Sequence, residues 1–145
     1  MKIRATIAAI GTAAALGLTG TILLPAAAGA GTVTHTLAFT SVQKSQVKFS
    51  STSSGSADLD VNKAGKAIGF DMLNFTVNPA TGKVAAGVTV DTAGGFLYGV
   101  LQTSSGPVIH GTVTGGTGAF AGATGTITAT QKTATRTAVI ITYHT

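Results

Sequence analysis

From residue 31 onward, apolar and polar residues alternate with a period of two, which is typical of β-strands. In TVTHTLAFT (residues 32–40), for example, His35, Leu37 and Phe39 share one face and the threonines the other. KSQVKFS (residues 44–50) also alternates and is predicted as a separate strand, and SSTSSGS (residues 50–56) is predicted as a polar loop. Turn sequences such as NKAGK, NPATG and TAGG interrupt the alternation. No helical periodicity appears. The sequence therefore predicts an all-β fold of about eight or nine strands, with antiparallel neighbours because the connections are short.

The way these strands close is constrained by the absence of cysteine. So many strands in one short chain form either a sandwich or a closed barrel. Without disulfides the fold depends on packing and hydrogen bonds alone. A closed barrel leaves no exposed strand edge, and we therefore favour the barrel.

The first thirty residues have a different composition. Lys2 and Arg4 precede an uncharged apolar run, residues 5–24, and Pro25 and the small residues Ala28-Gly29-Ala30 follow. This order is typical of a secretory signal peptide cleaved after Ala30. An uncleaved anchor is the alternative, because the run is nearly long enough to span a membrane. We expect residues 1–30 to be removed, and residues 31–145 to form one secreted domain without stable membrane insertion.

Charge and composition exclude several classes of function. Residues 31–145 carry seven basic residues and four aspartates, which leave a net charge of about +3, and the basic residues are scattered. Nucleic-acid binding is therefore not expected. Three separated histidines, with no glutamate or cysteine, make no metal set. We predict neither a metal nor a cofactor.

The stretch HGTVTGGTGAFAGATGTI (residues 110–127) is the richest in glycine. A phosphate-binding loop requires a lysine directly after its glycines and a following helix. Here the first lysine after the glycines is Lys132, and the residues that follow them alternate like a strand. The sequence instead predicts a tight corner, in which Gly115 and Gly116 adopt positive φ or admit a close backbone. We expect Phe120 to fold back and plug one end of the barrel.

The same stretch resembles a signature of the allene oxide cyclase and dirigent superfamily. GKAIGFD (residues 65–71) and TRTAVIITYH (residues 135–144) are also similar to segments of its secreted bacterial members. The signature positions, predicted to be structural, are Gly115, Gly116, Thr117, Gly118, Phe120, Ala123 and Gly125.

This resemblance implies an eight-stranded antiparallel β-barrel of the calycin type with an apolar cavity, and a homo-oligomer would also fit it. Plant dirigent proteins steer phenoxy-radical coupling, and allene oxide cyclases close an unsaturated epoxide into a cyclopentenone. The cyclases use a buried glutamate and carry a cavity cysteine, and this sequence has neither. The resemblance therefore extends to the scaffold and leaves the chemistry open.

Asp71 and Tyr98 are the candidate catalytic residues. Asp71 lies within a strand among apolar residues, where burial in a cavity would raise its pKa and suit it to acid or base catalysis. A rim aspartate bonded to backbone amides is the alternative. Tyr98 is predicted to orient a substrate, and the alternative is a tyrosine packed with its hydroxyl at the rim. Either face of residues 67–77 is apolar enough to face inward. The predicted ligand-binding residues are His35, Phe70, Asn74 and Phe96.

Three functions fit these observations. The first is a secreted barrel that binds a small lipophilic molecule, dirigent-like and without assigned catalysis. The second is an isomerase or cyclase of the allene oxide cyclase type. The third is a structural extracellular barrel whose interior is filled by its own side chains. The volume and lining of the cavity discriminate among the three.

Overall fold

Eight antiparallel strands close into a barrel in the computed structural model, which describes residues 32–103 and 106–145. The all-β class and the closed antiparallel barrel predicted from the sequence are thereby confirmed. The predicted signal peptide, residues 1–30, lies outside the described residues. No helix in the described part of the chain has the length and apolar character needed to cross a membrane. The strands are β1 (Thr34–Lys48), β2 (Ser53–Val61), β3 (Ala67–Val77), β4 (Val84–Thr92), β5 (Gly95–Thr103), β6 (Val108–Gly116), β7 (Thr124–Thr133) and β8 (Arg136–His144).

Each strand pairs with its neighbours in sequence, and β8 pairs with β1 to close the barrel. Alternate residues of β4, β5, β7 and β8 point inward and form an apolar core. Leu97 and Ile141 are completely buried, and Val90 and Ile127 nearly so. The alternation read from the sequence therefore places the apolar side of these strands inside the barrel.

The first two strands differ from the sequence prediction. KSQVKFS does not begin a new strand, because β1 continues through it to Lys48 with an irregularity between Gln43 and Ser45. Residues 53–56, predicted as part of a polar loop, belong to β2. Ser56 pairs with Gln46 on one side and Leu73 on the other. Pairing on both edges thus overrides the weak strand preference of these serines.

The glycine-rich stretch forms a corner at one end of the barrel, as the sequence predicts. Gly115 and Gly118 have φ angles of 150° and 59°. A short 3-10 turn, Gly118–Phe120, follows, and β7 then begins where a phosphate-binding loop would have a helix. The corner is fixed to the β4–β5 turn by hydrogen bonds from Ala119 N to Gly94 O (2.8 Å) and from Phe96 N to the Thr117 hydroxyl (3.0 Å).

Phe120 is buried where the corner folds over the barrel end. Its ring packs edge-on against Tyr143, with 5.4 Å between the ring centroids. Tyr143 in turn stacks on His35, at 5.2 Å. These three rings cover the end of the barrel at which β1 begins and β8 ends.

Candidate functional site

A cavity of about 340 Å³ lies inside the barrel. It extends to the last residues of β1 and β7 and to the β7–β8 turn, where Gln46, Gln131, Ala134 and Thr135 line it and are exposed. We call this group the mouth. Much of the wall is apolar, and its apolar members include Phe39, Leu73, Phe75, Ala86, Val88, Leu101, Ile127, Ala129 and Val139.

Carboxyl groups interrupt this apolar wall on the side formed by β2 and β3. Asp58 and Asp71 are cross-strand partners, and both line the cavity. Asp60 is two residues beyond Asp58 on β2, further from the mouth, and is 1 % exposed. We call Asp58, Asp60 and Asp71 the carboxyl cluster.

The cluster contains few hydrogen-bond donors. The Ser41 hydroxyl donates to Asp58 Oδ2 over 3.0 Å. Among the described residues, no donor other than a protonated carboxyl reaches Asp58 Oδ1, Asp71 Oδ1 or either oxygen of Asp60. Carboxylates are acceptors only, so a hydrogen bond between Asp60 and Asp71 requires a proton on one of them.

Burial is the largest cause of the raised pKa values in this cluster. It raises the pKa of Asp60 to about 9, assisted by repulsion from Asp71, by a hydrogen bond with Asp71 and by repulsion from Asp58. It raises the pKa of Asp71 to about 6, opposed by the hydrogen bond with Asp60 and by the nearby Ser41 hydroxyl. It also raises the pKa of Asp58, opposed by hydrogen bonds with Ser41 and Ser56. Near neutral pH, Asp60 therefore holds a proton that it donates to the Asp71 carboxylate.

Beside the cavity there is therefore a pair of carboxyl groups, Asp60 and Asp71, with different pKa values. Two carboxyls whose environments separate their pKa values suit a proton donor and a proton acceptor. Asp71 contacts the cavity, whereas Asp60 is behind it and does not line the cavity. Among the described residues, no group of three His, Cys, Asp or Glu side chains has an arrangement that could hold a metal ion.

The structure places the sequence-predicted site residues on both sides of the barrel wall. Asp71 points inward, 3 % exposed, on the same face as Leu73 and Phe75. This resolves which face of residues 67–77 lines the cavity. His35 lies at the Phe120 end, exposed and stacked on Tyr143, and is not part of the cavity lining.

The remaining predicted residues lie on the outer surface. Phe70, Phe96 and Tyr98 are 43 %, 38 % and 38 % exposed, and Asn74 is exposed on the same face of β3 as Phe70. Phe96 and Tyr98 stack on each other with centroids 6.4 Å apart. Residues two apart share a face, so the inward Asp71 directs Phe70 outward, and the inward Leu97 does the same to Phe96 and Tyr98. Their predicted roles in a cavity site therefore do not fit this geometry.

The sequence prediction missed Asp58 and Asp60. β2 reads SSGSADLDV, and its polar positions Ser56, Asp58 and Asp60 alternate with Ala57 and Leu59. The usual assumption that apolar residues face inward would put these aspartates in solvent. The strand has the opposite orientation, and its polar face lines the interior. A period-two run of three polar residues beside a strand containing Asp71 was the available signal.

No protein-family model and no curated protein matches the sequence. Among solved structures, a pterocarpan synthase dirigent protein is similar with a TM-score of 0.70 and 17 % identity, covering 88 % of this chain and 98 % of the other. A pyocyanin demethylase has a TM-score of 0.65 and 17 % identity, covering 75 % and 99 %. An exo-specific intermolecular Diels-Alderase has a TM-score of 0.64 and 8 % identity, covering 78 % and 99 %.

These similarities define the class of the fold. The chain shares its eight-stranded antiparallel barrel fold with these proteins, one of which is a dirigent protein, as the resemblance of the glycine-rich signature led us to expect. At such low identity the shared feature is the scaffold, and the activity must be argued from the site.

Proposed function

We propose that this protein is a secreted barrel that binds a small lipophilic molecule in its central cavity. The observation that carries the proposal is the apolar cavity of about 340 Å³ that extends to an exposed mouth. Small-molecule sites are concave, mostly apolar, contain a few polar groups and span roughly 300–1,000 Å³. The similar structures are named for activities on small organic molecules, which also supports this function. Secretion rests on residues 1–30, and we propose the calycin type for the barrel on the resemblance alone.

Native mass spectrometry of the protein purified from its own culture medium tests the proposal. We expect a retained ligand, seen as a mass that organic solvent removes. The variant Ala86→Phe places a ring in the cavity, because Ala86 lines it. The neighbouring Ala85 is exposed, so Ala85→Phe is the matched control. The ligand should be lost only from Ala86→Phe, with both variants folded by circular dichroism. Equal retention in both variants would contradict the proposal.

An isomerase or cyclase is the second candidate function, and the pairing of Asp60 with Asp71 favours it. Asp71 contacts the cavity and can take up or release a proton, while Asp60 stabilises its charged form by donating a hydrogen bond. In any turnover found for this protein, Asp71→Asn should reduce kcat at least about a hundredfold, and Asp91→Asn, outside the cavity lining, should not. Unchanged turnover in Asp71→Asn would exclude this role.

The cavity argues against the third alternative, a structural barrel filled by its own side chains. Small barrels can be filled completely, but here inward alanines at residues 86 and 129 leave space between larger side chains. A barrel filled by its own side chains would also not leave buried aspartates in contact with a cavity.

A further inference from the structure

We propose that the carboxyl cluster is a recognition site for a protonated amine, so that the ligand is an organic ammonium ion with an apolar body. This inference rests on the proposed binding function and specifies the class of ligand. It is carried by three observations on the described residues, which concern the charge of the cavity, the buried carboxylate of Asp71 and the apolar wall around them.

The first observation is that the cavity is acidic and has no internal counter-charge. Asp58 and Asp71 are the charged residues among those that line it, and no Lys, Arg or His occurs in the described part of the lining. The lysine and arginine side chains of residues 32–103 and 106–145 are all exposed. Buried charges in proteins are normally paired, so a ligand cation would supply the partner that the described chain does not.

The second observation is the state of Asp71 itself. It is 3 % exposed and lines the cavity, and apart from the proton of Asp60 no described N–H or O–H group donates to its buried Oδ1. An ammonium group has several N–H donors and a positive charge. From the cavity it therefore supplies the Asp71 carboxylate with a positively charged donor that the described lining lacks, and Asp58, the cross-strand partner of Asp71, also lines the cavity and adds negative charge.

The third observation concerns the rest of the ligand. Beyond the cluster the wall is formed mainly by Phe39, Leu73, Phe75, Val88 and Ile127. These side chains favour an aliphatic or aromatic body, while a small hydrated cation would gain nothing from them. The absence of a three-ligand metal arrangement among the described residues agrees with an organic cation.

Matched naphthalene probes test the inference. 2-Naphthylmethylamine and 2-ethylnaphthalene have the same shape, and only the first carries an ammonium group, while 2-naphthylacetate carries an anion. The chain has no tryptophan, so naphthalene fluorescence can be followed directly. At pH 8 we expect the amine to bind at least about tenfold more tightly than the ethyl compound, and the anion to bind most weakly.

Substitutions assign the effect to the cluster. In Asp71→Asn the preference for the amine should fall at least about tenfold, while 2-ethylnaphthalene should bind as well as before or better. Asp91→Asn removes the remaining aspartate, which lies on β4 outside the cavity lining, and should leave the preference unchanged. Asp58→Asn is a second variant in case Asp71→Asn does not fold, and a smaller fall in preference is expected.

The preference should also depend on pH. The groups that face Asp71 are Asp58 and Asp60 from β2 and the Ser41 hydroxyl from β1, and its β4 partner is the apolar Val90. The pKa of Asp71 is about 6, so the advantage of the amine should grow between pH 5 and pH 8, in which range the amine itself stays protonated.

The outcomes separate this inference from the proposed function. If 2-ethylnaphthalene binds and the amine has no advantage, the inference is wrong and the small-molecule barrel stands. If an advantage of the amine persists in both Asp71→Asn and Asp58→Asn, the cluster is not its cause and the inference is wrong. If no probe binds and the purified protein retains no ligand, the proposed function fails as well.

Discussion

Asp58 on β2 and Asp71 on β3 face each other across the strand pair, inside the barrel. Like charges in directly opposed positions destabilise a sheet. Two features relieve this repulsion: the Ser41 hydroxyl donates to Asp58, and the neighbouring Asp60 carries a proton that bonds to Asp71. The folded barrel therefore binds protons that the unfolded chain would release, and its stability should depend on pH.

The free energy of unfolding should fall as pH rises from about 4 to about 9. An unfolded aspartate ionises near pH 4, whereas the folded pKa values of Asp71 and Asp60 are about 6 and about 9. Between these values the folded state holds more protons, so rising pH costs it stability, by about 1.4 kcal/mol per pH unit for each proton. The fall should be steepest below pH 6, where both groups contribute. Urea denaturation at pH 4, 6 and 8 measures it.

Asp60→Asn should remove the part of this slope that lies between pH 6 and pH 9, and should make the protein more stable than the parent at pH 8. Asp91→Asn should keep the parent slope. A parent protein whose stability is constant or rises between pH 4 and pH 8 would contradict the raised pKa values.

Phe120→Ala should destabilise the barrel by about 3–5 kcal/mol, the cost of removing a buried phenylalanine side chain. The ring is 6 % exposed and contacts Tyr143 edge-on. Phe49→Ala is the control, because Phe49 is 64 % exposed and should cost less than about 0.5 kcal/mol. Thermal and urea unfolding measure both. A small effect at residue 120 would mean that the corner is a mobile gate.

Gly116→Ala should destabilise the protein by about 1–3 kcal/mol. A methyl group there would lie 2.5 Å from Phe120 Cβ and 2.6 Å from the carbonyl oxygens of Phe120 and Phe96. The control is Gly87→Ala, within β4, where an added methyl would meet no described heavy atom within 4 Å. Gly87→Ala should leave the urea midpoint nearly unchanged or raise it slightly. Equal midpoints in the two variants would show that the corner tolerates a side chain.

Tyr98→Phe should leave ligand binding in the cavity unchanged, within about twofold, because the hydroxyl is on the outer surface. Leu101→Ala should change binding, since Leu101 lines the cavity and is buried. Fluorescence titration with 2-ethylnaphthalene compares the two variants. A loss of binding in Tyr98→Phe would restore the sequence-based role of this residue.

The sequence predicted the barrel well, because alternation and turn residues act locally. The corner was also predictable, because its backbone conformation and close contacts require glycine, and the glycines are visible in the sequence. It predicted the site only in part. Asp71 was a candidate because it interrupts an apolar strand; it does line the cavity, and its catalytic role stays a prediction. Tyr98 and Phe96 were misplaced because in β5, FLYGVLQT, both faces are apolar and only pairing with β4 and β6 determines which one is inside. Asp58 and Asp60 were missed because the orientation of β2 depends on its neighbours on both sides.

Because Phe120, Tyr143 and His35 close one end of the barrel, a ligand is expected to enter the cavity from the opposite end. Within the part of the chain that the structure describes, the cavity extends to the surface at the mouth, beside Gln46 and Gln131. In the complex proposed above, the leading group is the ammonium group at the carboxyl cluster, and the trailing end lies nearer the glutamines. A guest immobilised on a resin through its trailing end should therefore still capture the protein, whereas the same guest linked through its leading group should not. This asymmetry makes the trailing end the natural attachment point for affinity reagents and for chemical variation.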